Sequence, residues 1–158
     1  SYESADASFE MLLRNELGLL DLPFEVHSWR VFTEEIVNRT NGDNSEATVK
    51  LVAKGQRQSV IGEGNGPVNA LGDALIKALS PAYPQVADYE LTDYRVRILE
   101  TGHGTDAIVR VLIDTTDGER SWTTVGVGTN VVEASWEALH DAYLWGLLDA
   151  PQSMQRAR

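Results

Sequence analysis

Large apolar residues alternate with polar ones over 24–33 and 89–99, as in Phe24-Glu25-Val26 and Tyr94-Arg95-Val96. A period of two puts successive side chains on opposite faces, so each stretch predicts a half-buried strand. Second strands are predicted at 46–53 and 105–114, which are rich in the Val, Ile and Thr that suit a pleated surface. Third strands follow at 57–62 and 119–127. Lys54-Gly55 and Asp117-Gly118 predict the hairpin turns between second and third strands, because glycine tolerates positive φ. After each third strand the spacing lengthens to three and four. Val68, Leu71, Leu75, Ala78 and Leu79 form one such series, and Val132, Ser135, Leu139, Ala142 and Gly146 the other. Each series predicts a helix with one stripe on the core. Pro67 suits a first helical turn, where its missing N–H is not needed, and Pro81 and Pro84 end that helix region. Phe9, Leu12, Leu13, Leu17 and Leu20 predict a further amphipathic helix, with these residues on one face. Residues 38–45 read as a polar, mobile loop.

The two series are copies. Gly62-Glu63-Gly64-Asn65-Gly66-Pro67-Val68-Asn69-Ala70 matches Gly126 to Ala134 at a shift of 64. Ala47 to Val52 matches Ala107 to Leu112 at a shift of 60, and Trp29-Arg30-Val31 matches Tyr94-Arg95-Val96 at 65. The smaller middle shift predicts a longer hairpin in the second copy. The expected fold is α+β: two pseudo-repeated βββα units packed together, about 23–86 and 87–150, preceded by a linking helix segment over 1–22.

Composition narrows the function. The chain has 158 residues, fewer than the ~250 of a full (β/α)₈ barrel. Its 24 acidic and 13 basic side chains give −11, which disfavours nucleic acid and anionic membrane as partners. There is no cysteine, hence no disulfide and no thiolate ligand or nucleophile. That fits a reducing, cytoplasmic setting, and no signal peptide or membrane span is expected.

The Gly62-to-Gly66 stretch opens a helix, whose free N–H groups and partial positive charge suit a phosphate or carboxylate. It equally suits a tight strand-to-helix turn. His27, His103 and His140 lack metal-ligand spacing, and Asp106, Asp114 and Asp117 read as solvated charge. Ser135 has no neighbouring histidine to activate it, and the tryptophans read as core or interface. No catalytic residue, metal or cofactor is expected.

Gly64-Asn65-Gly66-Pro67-Val68-Asn69-Ala70-Leu71 and Val125 to Leu139 resemble the C-terminal regulatory domain of the 2-isopropylmalate synthase and citramalate synthase family. Asp93 to Leu99 is similar to the strand between those motifs, and Ala5 to Glu10 resembles the linking segment, particularly of the citramalate synthase branch. The resemblance implies a homodimer with a branched-chain amino acid near its interface, isoleucine being favoured over leucine. Binding would slow a catalytic barrel of the parent acyltransferase, which this chain lacks. It makes residues 23–158 a non-catalytic regulatory domain. An aliphatic amino acid needs an apolar cup, N–H donors for its carboxylate and acceptors for its ammonium. Gly64, Asn65 and Gly66 are expected to supply donors, Asn65 and Asn69 polar contacts, and Val68 an apolar one. The family match adds Leu91, Tyr94 and Ile98 on one strand, Thr105 and Ala107 on the next, and Val131, which closes the cup from either subunit. Positions 91 and 98 have opposite parity, so a bulge between them is required if both face the ligand. Core packing remains an equal reading for Val68, Leu91 and Ile98. The competing functions are a dimerisation module without effector, a small-molecule transferase, and an RNA-binding module, which the charge disfavours.

Overall fold

The computed structural model describes residues 6–18, 21–33, 45–100 and 107–149. The expected polar loop at 38–45 therefore lies outside the described residues except for Ser45, and so do Thr105, His103, Asp106 and Leu20. The fold is α+β, with an N-terminal helix followed by two βββα units. Helix α1 spans Asp6–Glu16, strands β1, β2 and β3 span Phe24–Thr33, Ser45–Ala53 and Gln56–Gly64, and α2 spans Pro67–Leu79. A short 3₁₀ turn, Pro84–Asp88, leads to β4, β5 and β6 at Glu90–Glu100, Ala107–Thr116 and Ser121–Gly128, and α3 at Val131–Leu148. The chain forms two compact units, Phe24–Ala87 and Ser1–Pro23 with Asp88–Arg158.

In the first unit an antiparallel meander, β1-β2-β3, packs one face on α2. Alternation along β2 sends Ala47, Val49, Leu51 and Ala53 to that face, where they meet Leu71, Leu75 and Leu79. The β2–β3 turn is two residues, Lys54 and Gly55, both at positive φ, as a tight hairpin needs.

The second unit repeats the arrangement with β4-β5-β6 and α3. Val109, Val111 and Ile113 of β5 face Ala134, Ala138, Leu139 and Ala142. The β5–β6 connection, Asp117–Arg120, is longer than an Asp-Gly hairpin. Asp117 organises it by accepting the N–H groups of Glu119 at 2.9 Å and Arg120 at 2.7 Å. Arg120 also donates to the carbonyls of Asp149 at 2.6 Å and Gly146 at 3.3 Å, a cation where the α3 C-terminus concentrates negative charge.

The internal symmetry reaches a detail of register. In both units the first strand slips against the second, between Val26 and Ser28 and between Leu91 and Asp93, positions 65 residues apart.

Helix α1 departs from the amphipathic expectation. Phe9, Leu12, Leu13 and Leu17 are exposed, and the buried residues are Ala7, Ser8 and Met11. The reason is a sheet edge. β6 has a neighbour on one side only, and its outer N–H groups need acceptors. Ser8 Oγ accepts the N–H of Val125 at 2.9 Å, and small residues beside it allow the helix to approach.

Candidate functional site

The first unit carries the glycine turn between β3 and α2. Its glycines are set first by packing. A Cβ on Gly62 would lie 2.3 Å from the backbone nitrogen of Ala74, and one on Gly64 would lie 2.7 Å from that of Ala70. Gly126 and Gly128 hold the matching places in the second unit, with a Cβ on Gly126 only 1.9 Å from the Ala134 carbonyl oxygen. Gly66 differs, since nothing lies within 4 Å of its Cβ position and its backbone is extended. It is the N-cap of α2, and no side chain caps this helix. Pro67 has no N–H, and the Ala70 N–H bonds the Gly66 carbonyl at 3.0 Å. The first turn thus presents the N–H groups of Val68 and Asn69. Asn69 donates from its side-chain amide to Asn65 Oδ1, so these two candidates already satisfy part of each other. Val68 is half-buried.

The second unit carries the strand candidates. The slip between Leu91 and Asp93 brings Leu91 opposite Thr115, Tyr94 opposite Ile113, Ile98 opposite Val109 and Glu100 opposite Ala107. Leu91, Tyr94, Ile98 and Ala107 therefore share the face on which α3 lies. The opposite parity of 91 and 98 is resolved by that one irregularity. α3 covers β5 and β6 and leaves much of β4 bare: Tyr94 is 39% exposed, Val96 42% and Ile98 63%. The Tyr94 hydroxyl shares a 2.7 Å hydrogen bond with Ser135 Oγ, which is fully buried on α3. This bond holds the ring against the helix and leaves its side along the wall. Val131 opens α3 and is exposed. Thr105 lies outside the described residues.

Two members of this wall were missed in the sequence. Val96 stands at period two between Tyr94 and Ile98, so alternation alone could have found it. Ser135 reads in the sequence as a core position or an unactivated hydroxyl, and no local signal ties it to a tyrosine 41 residues away. A groove of about 700 Å³ elsewhere on the second unit, beside Glu10, Arg14, Trp122 and Trp145, includes none of the candidates.

Two carboxyls are displaced from their ordinary range. Burial pushes Glu137 up, helped by the nearby Asp141. Burial also pulls Asp117 upward, but the N–H groups of Arg120 and Glu119 and the Arg120 guanidinium outweigh it and hold it low. Neither belongs to the wall or the turn. No group of three or more His, Asp or Glu side chains fit for a metal occurs among the described residues. No helix among them is long and apolar enough to cross a membrane.

The model of the LeuA allosteric (dimerisation) domain matches residues 3–144. The chain belongs to this family. It is 56% identical over 152 residues to an (R)-citramalate synthase of Streptomyces coelicolor, covering 95% of this chain and 28% of that protein. An (R)-citramalate synthase of Synechocystis is 46% identical over 148 residues, covering 92% of this chain and 27% of that protein. A 2-isopropylmalate synthase of Clostridium kluyveri is more distant, 29% identical over 138 residues, 87% of this chain and 24% of the relative. This allosteric (dimerisation) domain thus stands closer to the citramalate synthases, and it spans about a quarter of the length of these relatives.

Proposed function

We propose that this domain is the feedback sensor of a citramalate synthase-type acyltransferase, binding a branched-chain amino acid, isoleucine before leucine, and working as a homodimer. In this reading residues 1–22 link to a catalytic barrel in a longer cytoplasmic parent, and 23–158 do the sensing without catalysing. The observation that carries the reading is the bare apolar face of β4, with Tyr94 held by Ser135. An isolated sheet face of this kind stabilises nothing until something apolar covers it. An aliphatic side chain of four carbons suits the space beside Leu91, Tyr94, Ile98 and Ala107. Val131 is assigned to close it. Thr105 keeps its assignment by family match alone.

The first unit's turn is a separate candidate, and it is tested on its own. Gly64, Asn65 and Gly66, with Val68 and Asn69, keep their assignment as candidate contacts to a carboxylate and an ammonium. The uncapped start of α2 supports that assignment.

Leucine and isoleucine differ in where one methyl branches, a difference worth about 1–3 kcal/mol in an apolar pocket. The preference for isoleucine rests on the nearer citramalate synthase relatives. Calorimetric titration of the folded chain with isoleucine, leucine and valine tests the reading. Saturable heat is expected, strongest with isoleucine, and Tyr94→Ala should weaken it more than it lowers Tm. Absence of heat with all three at millimolar ligand would leave the second reading, dimerisation without effector, of which the family's description supports the dimerisation. Sedimentation of the same sample measures that directly.

A further inference from the structure

The outer face of the second sheet, turned away from α3, carries a charge arrangement at odds with the −11 balance of the chain. Register sets Arg97 of β4 directly opposite Arg110 of β5, with Val127 of β6 next in the same row. Directly opposed residues have Cβ atoms about 4.5–5.5 Å apart, and like charges there repel. Other arginines of this unit are neutralised. Arg95 lies 3.2 Å from Asp93 and 3.3 Å from Asp114, Arg14 lies 3.0 Å from Glu10, and Arg120 lies 2.7 Å from Asp117. Arg97 and Arg110 make no ion pair or hydrogen bond among the described residues. The Arg110 Nε is moreover shielded from solvent with no acceptor. A donor left in that state is costly, and the cost falls when an acceptor arrives.

We propose that Arg97 and Arg110 form a binding site for an oxyanion, a carboxylate or a phosphate carried on a small aliphatic body. Two planar guanidinium groups side by side offer several N–H donors to one anion, with charge-assisted strength. A bound anion cancels the repulsion between them, and an outward turn of the Arg110 side chain toward it would give the shielded Nε its missing acceptor. Ile108 and Val127, both partly exposed, flank the pair and suit the apolar part of the ligand. The site lies on the opposite side of the sheet from the β4 wall and does not depend on effector binding there.

Thermal unfolding of the chain in sodium malonate or sodium phosphate, against sodium chloride at equal ionic strength, tests this. At tenfold excess over Kd the anion should raise Tm by about 4 °C beyond chloride. Arg97→Gln and Arg110→Gln should each remove most of that excess while unfolding no earlier than the parent chain in chloride. Arg57→Gln, on the other sheet, should keep it. A larger response to malonate marks a carboxylate ligand, and a larger one to phosphate marks a phosphate. An equal excess in all variants, or none in the unsubstituted chain, overturns the site. A second measurement needs no substitution. The Arg110 Nε–H resonance should move saturably with malonate while that of Arg95 stays, and an unmoved Arg110 signal across tens of millimolar overturns the proposal.

Discussion

The two βββα units share strand order, the slip in the first strand and the glycines at the strand-to-helix turn, yet each opens its helix differently. α3 begins on Asn130, whose side chain accepts the Glu133 N–H at 2.9 Å while Glu133 reaches back to Thr129 at 2.7 Å and Asn130 at 2.9 Å. This resembles a capping box, except that Glu133 accepts the side-chain amide of Asn130 rather than its backbone N–H, and it satisfies one first-turn donor, the Glu133 N–H. α2 begins on Gly66 with no side-chain cap. The first strands differ as well. Trp29 and Val31 of β1 are half-buried, whereas their counterparts Tyr94 and Val96 are exposed. A duplicated scaffold has thus kept its packing and diverged at the cap of its helix and along its first strand.

The largest effect should come from the packing the units share. Gly126→Ala and Gly62→Ala each drive a methyl into helix backbone, so each should cost about 3 kcal/mol or more, Gly126 the greater. Denaturant unfolding measures this, and a loss under 1 kcal/mol at Gly126 would mean that the close strand–helix approach is wrong. The caps come next. Gly66→Asn copies the second unit's cap into the first, at a position with open space and extended backbone. It should stabilise by about 0.3 kcal/mol, and Asn130→Ala should destabilise by about 1 kcal/mol. If the α2 donors take the effector's carboxylate, Gly66→Asn should also weaken isoleucine binding, so unchanged affinity would remove the turn from the site.

The smallest effect concerns the longer hairpin that only the second unit has. Asp117 has a folded pKa below its ordinary 3.8, so its contribution is complete above that value and disappears as pH falls through the lowered one. Asp117→Asn should therefore cost about 1 kcal/mol at pH 7, and the deficit should shrink below about pH 4. A deficit constant from pH 7 to pH 2 would show that the carboxylate's charge is not what matters. Glu137 has the opposite sign. Its raised pKa means that the folded chain loses stability as the group ionises, so Glu137→Gln gives a slight gain at pH 7 that fades in acid.

Much of this fold was legible because each unit buries one face of its sheet. Alternation along β2 and the three- and four-residue spacing of Leu71, Leu75 and Leu79 are direct consequences of that burial. The repeat was legible for the same reason, since the same contacts recur. α1 was misread because periodicity reports hydrophobicity, and what orders this helix on the sheet is a hydrogen-bond need at the β6 edge, met by Ser8. For the wall, the parity of Leu91 and Ile98 already required a slip, and its position could be known only from pairing with β5. The glycine turn had two readings, and the structure answers them residue by residue: Gly62 and Gly64 serve close packing, while Gly66 is free of that constraint.

The central claim is that the bare face of β4 is where a branched-chain amino acid binds. Amide chemical-shift mapping of the isotope-labelled chain during titration with isoleucine tests it most directly. The account predicts saturable shifts at Leu91, Tyr94, Ile98 and Ala107 and in the first turn of α3. Shifts confined to other surfaces, or none at millimolar isoleucine, would contradict it.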